Sequence, residues 1–380
     1  MSYDLVIHGG RVIDPAGGLD DRRDLGIRDG RIAAVEPHIP LVEAADVLDA
    51  TDRLIVPGLV DLHVHVYWGV TDLSIRPGPS DLARGATTVV DAGSAGANTF
   101  PGFREYVIEP AEGRILAFLN ISAMGQVDTS LGENHDLRYV LADRAAECAR
   151  ANTDLVVGVK VRLTEWLTGP NAIQALERAV EAGEAAGVPV MAHIGDSTAT
   201  IEQVLTRLRP GDMVTHAFTD RANGIFDDRG RVHAATVEAR VRGVLFDIGH
   251  GAGSFSFARA EAALADGFRP DTISSDLHRY NVDGPVHDLV TTLSKFLHLG
   301  LPLPEVIAMA TTAPAQALGR SGAFGTLAIG AEADIAVLAL EEGRFSLTDS
   351  FGASVESRQR LVPVATLRGG RRVAPTSRIV

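Results

Sequence analysis

Short apolar segments alternate with helical patterns through the middle of this chain. Eight segments have the length and apolar content of buried strands: GLVDLHVHV, ATTVVDAG, RILAFLNISA, DLVVGVKVRL, VPVMAHIG, DMVTHAF, GVLFDIGHG and DTISSDLH. Between them, stretches such as AIQALERAVEAGEAAG and ATIEQVLTRLRPG repeat apolar residues every three or four positions, as one face of a helix does. Eight strands, most of them followed by a helix, predict a closed (β/α)₈ barrel rather than an open doubly wound sheet.

The two ends of the chain have another pattern, in which short strands are separated by glycine and Asp-Gly turns. DLVIHGGRVIDP and DLGIRDGRIAAV illustrate it near the start, and GTLAIGAEADIAVLAL and LVPVATLRGGRRVA near the end. Because the ends of a compact chain often lie close together, we expect both to contribute to one small β-sandwich. The predicted α/β protein therefore divides into sandwich residues 1–56, a catalytic barrel at 57–323 and the rest of the sandwich at 324–380.

Composition narrows the range of functions. The 380 residues are 46% hydrophobic and 22% charged, which is typical of a compact soluble protein. A formal net charge of −14 argues against binding to nucleic acid or an anionic membrane, since those surfaces select clustered lysine and arginine. A single cysteine excludes an internal disulfide and a cysteine-based zinc site, and neither a signal peptide nor a membrane-spanning stretch is recognisable. We expect a cytoplasmic homo-oligomer that acts on a small molecule.

Several predicted strands end in side chains that bind metals. Functional groups of such barrels collect at the carboxyl ends of the strands, where His63 and His65 follow the first strand and point to the same side. Alone, this pair is only a weak signal of a metal site, since a half-exposed strand face explains it as well. The fifth, sixth and eighth strands, however, end in His193, His216 and Asp276. Each of these alone could be a core histidine or a helix cap, but together they predict a site for zinc, manganese or iron.

Lysine is rare in this sequence, so its position is informative. Of 35 basic residues only Lys160 and Lys295 are lysines, and Lys160 ends the fourth predicted strand. Arginine, which the chain uses everywhere else, would serve equally well in an ion pair or as a cation that reaches solvent. An amine, unlike a guanidinium, can lose its proton when it is desolvated. It can then add carbon dioxide to form a carbamate, whose two oxygens could bridge two metal ions.

With these residues identified, the sequence resembles the amidohydrolase superfamily, in the branch of dihydroorotases, hydantoinases and N-acyl amino acid deacetylases. The resemblance covers nearly the whole chain and rests on VPGLVDLHVH, the lysine of GVKVR, the strand-end ligands, ATTAPAQALG and GTLAIGAEADIAVL. It implies two divalent ions, expected to be zinc, with an N6-carboxylated Lys160 and a hydroxide between them. The implied ligands are His63, His65 and Asp276 for one ion, and His193 and His216 for the other.

The resemblance also implies a reaction. Two ions about 3.5 to 4 Å apart can keep a shared water ionised near neutral pH, so that the bridging hydroxide attacks a polarised carbonyl. Asp276 would take the proton of the hydroxide and pass it to the leaving group. Dihydroorotases carry an arginine just after the second histidine, whereas this chain continues with Val66, Tyr67, Trp68 and Gly69. This departure favours cleavage of an acyl ester or amide, as in an O-acyl α-hydroxy acid or an N-acyl amino acid.

Other residues near the strand ends are candidates for holding a carboxylate on the substrate. In DIGHGAGSF, at the seventh strand, backbone amides could surround an anion, although the glycines could equally serve only to allow a tight turn. A nearby arginine could pair with the same carboxylate, and two aromatic residues could wall the pocket or pack in the core. The predicted substrate-binding residues are Arg162, His250, Gly251, Gly253, Ser254, Tyr67 and Trp68.

Other functions remain as alternatives. One is a cyclic amide hydrolase of the dihydroorotase or hydantoinase type. Another is a non-catalytic scaffold with the same fold, which we would expect to have lost some ligands, although none is missing here. A third is a phosphate-handling lyase or isomerase that uses the glycine-rich stretch, but it gives the strand-end histidines no purpose.

Overall fold

The computed structural model describes residues 2–79 and 81–374. Its strands are β1 (Tyr3–His8), β2 (Arg11–Asp14), β3 (Leu19–Arg22), β4 (Asp24–Arg28), β5 (Arg31–Glu36), β6 (Ala44–Asp49), β7 (Leu54–Pro57), β8 (Leu59–Val64), β9 (Ala86–Gly96), β10 (Arg114–Asn120), β11 (Val156–Arg162), β12 (Val190–His193), β13 (Met213–Thr215), β14 (Leu245–Phe246), β15 (Ile335–Thr348), β16 (Ser354–Arg368) and β17 (Arg371–Arg372). Its α-helices are α1 (Phe100–Phe103), α2 (Ala142–Ala151), α3 (Glu165–Thr168), α4 (Ala172–Ala186), α5 (Ile201–Leu205), α6 (Ala234–Val241), α7 (Phe257–Ala265), α8 (Leu289–His298), α9 (Leu303–Ala308) and α10 (Thr312–Ala317).

The strands β8 to β14 form one parallel sheet in which neighbours in sequence are neighbours in space. Every residue of β8 and of β11 is buried, as expected for parallel strands that are covered on both faces. The segment 272–277 closes the ring, because Thr272 bridges to Asp247 after β14 and Leu277 bridges to Val64 of β8. The predicted TIM-like barrel is thus confirmed.

The eighth strand position is irregular. The amides of Ile248, His250 and Gly251 donate to the carbonyls of Thr272, Ser274 and Ser275. A regular parallel strand donates from every second residue, so two consecutive donors interrupt the ladder. Segment 272–277 is therefore held in the barrel by isolated bridges, and it delivers Asp276 to the same mouth as the other strand ends.

Both chain ends build a separate β-sandwich, as predicted. One sheet has the order β5-β4-β1-β6, and the other has the order β17-β16-β15-β7-β2-β3. In the second sheet, β15 pairs antiparallel with β7, with Ile335 opposite Pro57. Buried side chains from both sheets, with Leu327 from the segment before β15, share one apolar core: Leu5, Ile7, Val12, Leu25, Ile27, Ile55, Ile335, Val337 and Leu367.

The predicted division of the chain at residues 56 and 323 stays a prediction. In the structure the chain passes from the sandwich to the barrel between Pro57, which ends β7, and Leu59, which begins β8. The last predicted segment extends over residues 375–380, which lie outside the described residues.

The β15–β16 hairpin also contacts the barrel. The amide of Leu361 donates to Ser294 on α8, and the amide of Ser350 donates to the carbonyl of Phe255, which follows β14. The hairpin tip therefore lies against the loop after the seventh barrel strand. In residues 2–79 and 81–374, no helix has the length and apolar character needed to cross a bilayer.

Candidate metal centre

The predicted ligands converge at one end of the barrel. Nε2 of His63 and Nε2 of His65 lie 3.3 and 3.2 Å from the same oxygen, Oδ1 of Asp276. On the other side, Nε2 of His216 lies 3.1 Å from Nδ1 of His193. The rings of His63 and His216 are 5.2 Å apart between centroids, so the two groups are adjacent. The structure thus brings together side chains from strand ends up to 213 positions apart in sequence, His63 and Asp276 being the extremes.

Asp276 is held so that one carboxylate oxygen is left for a ligand. Its Oδ1 is buried and has no hydrogen-bond partner among the described residues. The backbone at Asp276 has a left-handed φ of 49°, and Asn281 donates to its carbonyl oxygen at 2.7 Å. Burying a carboxylate oxygen without a partner is costly, and a cation between this oxygen and the two imidazoles would remove the cost. The donor set therefore fits a divalent metal ion.

Hydrogen bonds set which nitrogen of each strand-one histidine faces the centre. Nδ1 of His63 lies 3.0 Å from Oγ1 of Thr215, whose hydroxyl donates to Asp247 at 2.8 Å. Because the single hydroxyl hydrogen goes to the carboxylate, Nδ1 of His63 carries the proton and Nε2 keeps its lone pair. Nδ1 of His65 is similarly placed 2.9 Å from Oγ of Ser94. Both residues thus present Nε2 to Asp276.

The histidines of strands five and six use opposite nitrogens. Nδ1 of His216 donates to the carbonyl of Gly249 at 2.6 Å, which leaves Nε2 as the ligand atom. His193 contacts Oγ1 of Thr164 through Nε2 at 3.1 Å, so its Nδ1 faces the centre. The backbone of His216 is left-handed, with φ of 70°.

All four imidazoles are in the form that binds metal. Burial lowers the pKa of His65 to about 3 and the pKa of His216 to about 4. Burial, with neighbouring cationic groups as a smaller cause, also holds the pKa values of His63 and His193 well below their usual range. Neutral imidazole is the ligand form, so no proton has to be lost near neutral pH.

Lys160 is fully buried within this cluster. Its Nζ lies 3.2 Å from Nε2 of His63 and 3.2 Å from Sδ of Met191. Burial lowers the pKa of the Lys160 amine to about 7, although Asp276 and Asp247 oppose the shift. Gly93 makes room for the side chain, because a Cβ atom at position 93 would lie 2.7 Å from Cβ of Lys160. The neutral amine is therefore accessible near neutral pH.

Arg162 lies near the centre but already has a partner. It donates from Nε and Nη2 to the two carboxylate oxygens of Glu133, at 2.6 and 2.7 Å. The two side chains are only 7% and 4% exposed, so the pair is buried. A substrate carboxylate would have to share the guanidinium with Glu133 or displace it. The role of Arg162 in substrate binding stays a prediction.

The glycine-rich loop after β14 does not form the predicted anion cradle around Gly251. The amides of Gly249, His250 and Gly251 are all occupied by Ser274 Oγ and by the carbonyls of Ser274 and Ser275. Gly251 is needed for a different reason, because a Cβ atom there would lie 2.5 Å from Oδ2 of Asp276. The glycine thus allows the backbone to approach the carboxylate.

The other predicted residues of this loop differ in their surroundings. His250 is fully buried, lies 2.6 Å from Nζ of Lys295 and stacks on Phe255, so the structure does not support its contact with a substrate. The carbonyl of Gly253 accepts a hydrogen bond from Arg221, and Ser254 is half-buried. A substrate role for Gly253 and Ser254 stays a prediction.

Among the described residues, the rings of the two aromatic residues after β8 pack on partners other than the predicted metal ligands. Tyr67 is buried, donates from its hydroxyl to the carbonyl of Thr99 and packs on Phe103, so it is a core residue rather than a pocket wall. Trp68 stacks under Arg76 at 3.3 Å from the ring centroid. Trp68 lines a cavity of about 390 Å³, whose lining in the described part of the chain contains none of the predicted metal ligands.

Sequence reasoning missed the residues that orient the ligands. Three hydroxyl side chains contact the imidazoles, namely Thr215, Ser94 and Thr164. Two carboxylates accept hydrogen bonds from residues beside the site: Asp247 from Thr215, and Glu133 from Arg162. Asp247 carried a weak signal, since it interrupts the apolar run GVLFDIG. The hydroxyl residues carried none, because threonine and serine are common in strands.

Comparisons with known proteins identify relatives of this chain. The model of the Amidohydrolase family matches residues 54–373. A deacetylase of Agrobacterium fabrum (strain C58) is 39% identical over 348 residues, which cover 91% of this chain and 85% of the relative. A deacetylase of Enterococcus faecalis (strain V583) is 32% identical over 98% of this chain and 99% of the relative. A crystal structure of a dihydroorotase, 36% identical, superimposes with a TM-score of 0.90 over 99% of this chain and 98% of that one. The chain belongs to the amidohydrolase family, and it is a hydrolase that acts on C–N or ester bonds.

Proposed function

We propose that this enzyme is a binuclear metal-dependent hydrolase that removes an acyl group from a small carboxylate-bearing substrate. The carrying observation is the buried, unpartnered Oδ1 of Asp276, within 3.3 Å of two imidazole nitrogens whose lone pairs face it. His63, His65 and Asp276 would hold one ion, and His193 and His216 the other. When bound, the ions, proposed to be zinc, supply an acidified water and polarise the substrate carbonyl.

Lys160 would supply the remaining ligand after carboxylation. The lone pair of the neutral Nζ attacks the carbon of carbon dioxide, a C–N bond forms, and the nitrogen loses a proton to solvent. The product is a carbamate anion with two oxygens. Its support is the position of Nζ, 3.2 Å from Nε2 of His63 and fully buried, where an ammonium has no carboxylate within salt-bridge distance among the described residues.

Asp276 would transfer the proton during hydrolysis. With Oδ1 bound to the ion, the carboxylate would accept a proton from the attacking water at its other oxygen, Oδ2, and release it to the leaving oxygen or nitrogen. The left-handed backbone and the hydrogen bond from Asn281 to the Asp276 carbonyl hold the carboxylate in place, so the base does not have to reorient.

For the substrate we propose an O-acyl α-hydroxy acid or an N-acyl amino acid. Two relatives that span most of this chain bear the name deacetylase, which supports an acyl substrate. Arg162, buried next to the centre, is the proposed anchor for the carboxylate. The similarity to a structure of a dihydroorotase favours cyclic amide hydrolysis as the second candidate.

The remaining assignments are also proposals. We place the enzyme in the cytoplasm as a homo-oligomer without nucleic-acid or membrane partners, on the basis of its acidic charge and single cysteine. Segments 1–56, 57–323 and 324–380 are the proposed domain boundaries.

A hydrolysis screen tests the proposed function. Enzyme stripped with a chelator and reloaded with zinc is assayed on O-acetyl hydroxy acids, N-acetyl amino acids, hydantoins and dihydroorotate. We expect turnover of an acetyl ester or amide, dependent on added metal. Lys160→Ala should abolish it and lower metal content, and a small carboxylic acid should restore part of the rate. The substitution Met309→Leu, which conserves the volume of a buried methionine in the apolar core, serves as control. Absence of hydrolysis of all four classes by fully loaded enzyme would contradict the proposal.

A further inference from the structure

Lys295, the second of the two lysines, is fully buried on α8. Its Nζ has three neighbours at hydrogen-bond distance: Nε2 of His250 at 2.6 Å, the carbonyl of Thr348 at 2.8 Å and the carbonyl of Pro285 at 2.9 Å. An ammonium has three N–H donors, and each of them has one acceptor here. A guanidinium at this place would bring five donors in a plane, more than these acceptors satisfy. This match explains why the position is a lysine in a chain rich in arginine.

The contacts of His250 define its tautomer. Its Nδ1 lies 3.0 Å from the carbonyl of Gly251, which can only accept, so Nδ1 carries the proton. Its Nε2 is then an acceptor for Lys295. Burial holds the pKa of His250 well below its usual range, with Lys295 as the second cause, in agreement with a neutral ring.

Ser350, at the tip of the β15–β16 hairpin, completes this group. Its Oγ lies 2.8 Å from the carbonyl of Gly251 and 3.0 Å from the carbonyl of His250, and it accepts from the amide of Phe255 at 3.3 Å. Lys295, His250 and Ser350 thus hold the turn 249–251 from the outside of the barrel. The sandwich hairpin contributes two residues to this group: Ser350, which contacts the turn, and Thr348, whose carbonyl accepts from Lys295.

The inner side of the same turn contacts the predicted metal ligands. The carbonyl of Gly249 accepts from Nδ1 of His216 at 2.6 Å. The amide of Gly251 donates to the carbonyl of Ser275, the residue before Asp276, at 3.0 Å. A Cβ atom at Gly251 would also lie 2.5 Å from Oδ2 of Asp276, so the backbone is packed against this carboxylate. A shift of the turn would therefore move both His216 and Asp276.

We propose that Lys295 is a positioning residue: through His250 and through the carbonyl of Thr348, on the hairpin that carries Ser350, it fixes the turn 249–251, and the turn sets the orientation of His216 and Asp276. The sandwich hairpin is then a working part of the site rather than a separate module. The ligand roles of His216 and Asp276 rest on the proposed function, whereas the network itself does not. Removing residues that hold metal ligands in place typically changes metal affinity or activity about 10- to 100-fold.

The test compares Ser350→Ala and Lys295→Met with Ser354→Ala. Ser354 lies on the same hairpin but is exposed, and its Oγ contacts only Oγ1 of Thr348 among the described residues. In cobalt-loaded enzyme we expect Ser350→Ala to lower kcat about tenfold, with KM nearly unchanged, and to alter the visible absorption of bound cobalt. Ser354→Ala should match the parent enzyme in both. The proposal is overturned if Ser350→Ala and folded Lys295→Met both have the kcat and the cobalt spectrum of the parent enzyme. If Lys295→Met does not fold, the result for Ser350→Ala decides alone.

A second readout separates this proposal from the proposed function. In the parent enzyme, ¹⁵N NMR of labelled histidine should identify His250 as protonated on Nδ1, with a slowly exchanging Nδ1 proton on His216. In Ser350→Ala the His216 proton should exchange at least about tenfold faster, because the turn that accepts it is no longer held. If the parent enzyme hydrolyses nothing yet these signals respond as stated, only the proposed function fails. An unchanged His216 exchange rate overturns the positioning role.

Discussion

Arg162 and Glu133 form a buried ion pair next to the candidate metal centre, with two N–H donors on two carboxylate oxygens at 2.6 and 2.7 Å. If Arg162 is the carboxylate anchor that we propose, Glu133 competes with the substrate for its guanidinium. Glu133→Gln removes the competing charge. We expect KM for a carboxylate substrate to fall about tenfold, the size of one charge-assisted hydrogen bond, while KM for the uncharged amide analogue stays the same.

The same substitution should cost stability, since removing one partner of a buried pair destabilises by about 3 kcal/mol. Urea unfolding measures this cost. The control is Glu177→Gln, whose partner is the more exposed Arg207 and whose loss should be close to neutral. Equal KM values for parent and Glu133→Gln would remove Arg162 as the carboxylate anchor.

Thr215 should control metal affinity through His63. Its Oγ1 lies 3.0 Å from His63 Nδ1 and 2.8 Å from Asp247, so it fixes the tautomer that presents Nε2. Thr215→Val keeps the shape of the side chain and removes both contacts. We expect zinc affinity to fall about 10- to 100-fold in a competition titration with a chromophoric chelator.

The matched control for this threonine is Thr292→Val. Thr292 is equally buried, but its hydroxyl donates to the carbonyl of Asp288, the N-cap residue of its helix. Both variants should lose about 1 kcal/mol of stability from the hydrogen bond, and only Thr215→Val should lose metal affinity. The same zinc affinity in both variants would refute the role of Thr215.

Gly93 should be required for the position of Lys160. A Cβ atom at residue 93 would lie 2.7 Å from both Cβ and Cγ of Lys160, and the backbone there has φ of 89°. Gly93→Ala should therefore displace the lysine and lower metal content, as measured by elemental analysis. Gly211→Ala is the control, because its φ is 88° and no atom lies within 4 Å of its Cβ position. Both substitutions introduce a similar backbone strain of about 1–2 kcal/mol, so only the clash with Lys160 distinguishes them. Loss of metal in both variants, or in neither, would contradict the steric explanation.

Metal-free enzyme should lose stability in mild acid. Burial places the pKa of His65 at about 3 and that of His216 at about 4, below the usual 6.5 of an unfolded chain. Between pH 6.5 and about 4 the unfolded state binds protons that the folded state does not, so the free energy of unfolding decreases as pH falls. Each such histidine contributes up to about 1.4 kcal/mol per pH unit in this window.

Denaturant unfolding of chelator-treated enzyme at pH 7 and pH 5 measures this dependence. Replacing His65 by Gln should reduce the slope. A slope that is independent of His65 would show that its ring does not stay neutral in the folded protein.

The barrel and its ligands could be predicted because both depend on local patterns. Continuous apolar runs such as those of β8 and β11 specify strands buried on both faces, and parallel strands bring their carboxyl ends to one mouth. His63, His65, His193 and His216 lie at or just beyond the ends of such runs. Their convergence follows from topology alone.

The rest of the site depends on contacts between distant segments. Glu133 comes from a loop 29 positions before Arg162, and no spacing rule joins them. His250 also follows a strand, but its side chain lies in the interior beside Lys295. The glycines on both sides of it have left-handed backbones, with φ of 47° and 58°. Hydrophobic periodicity does not encode a loop conformation of this kind, so the orientation of the His250 side chain could not be predicted from the sequence.

The central claim is that Lys160, as a carbamate, and the strand-end ligands hold two ions together. A crystal structure of the enzyme grown with zinc and bicarbonate, with anomalous data collected on both sides of the zinc absorption edge, tests it most directly. We predict two anomalous peaks, one beside His63, His65 and Asp276 and one beside His193 and His216, with additional density on Nζ of Lys160 between them. A single peak, or a bare Lys160 amine in a site that holds two ions, would contradict the account.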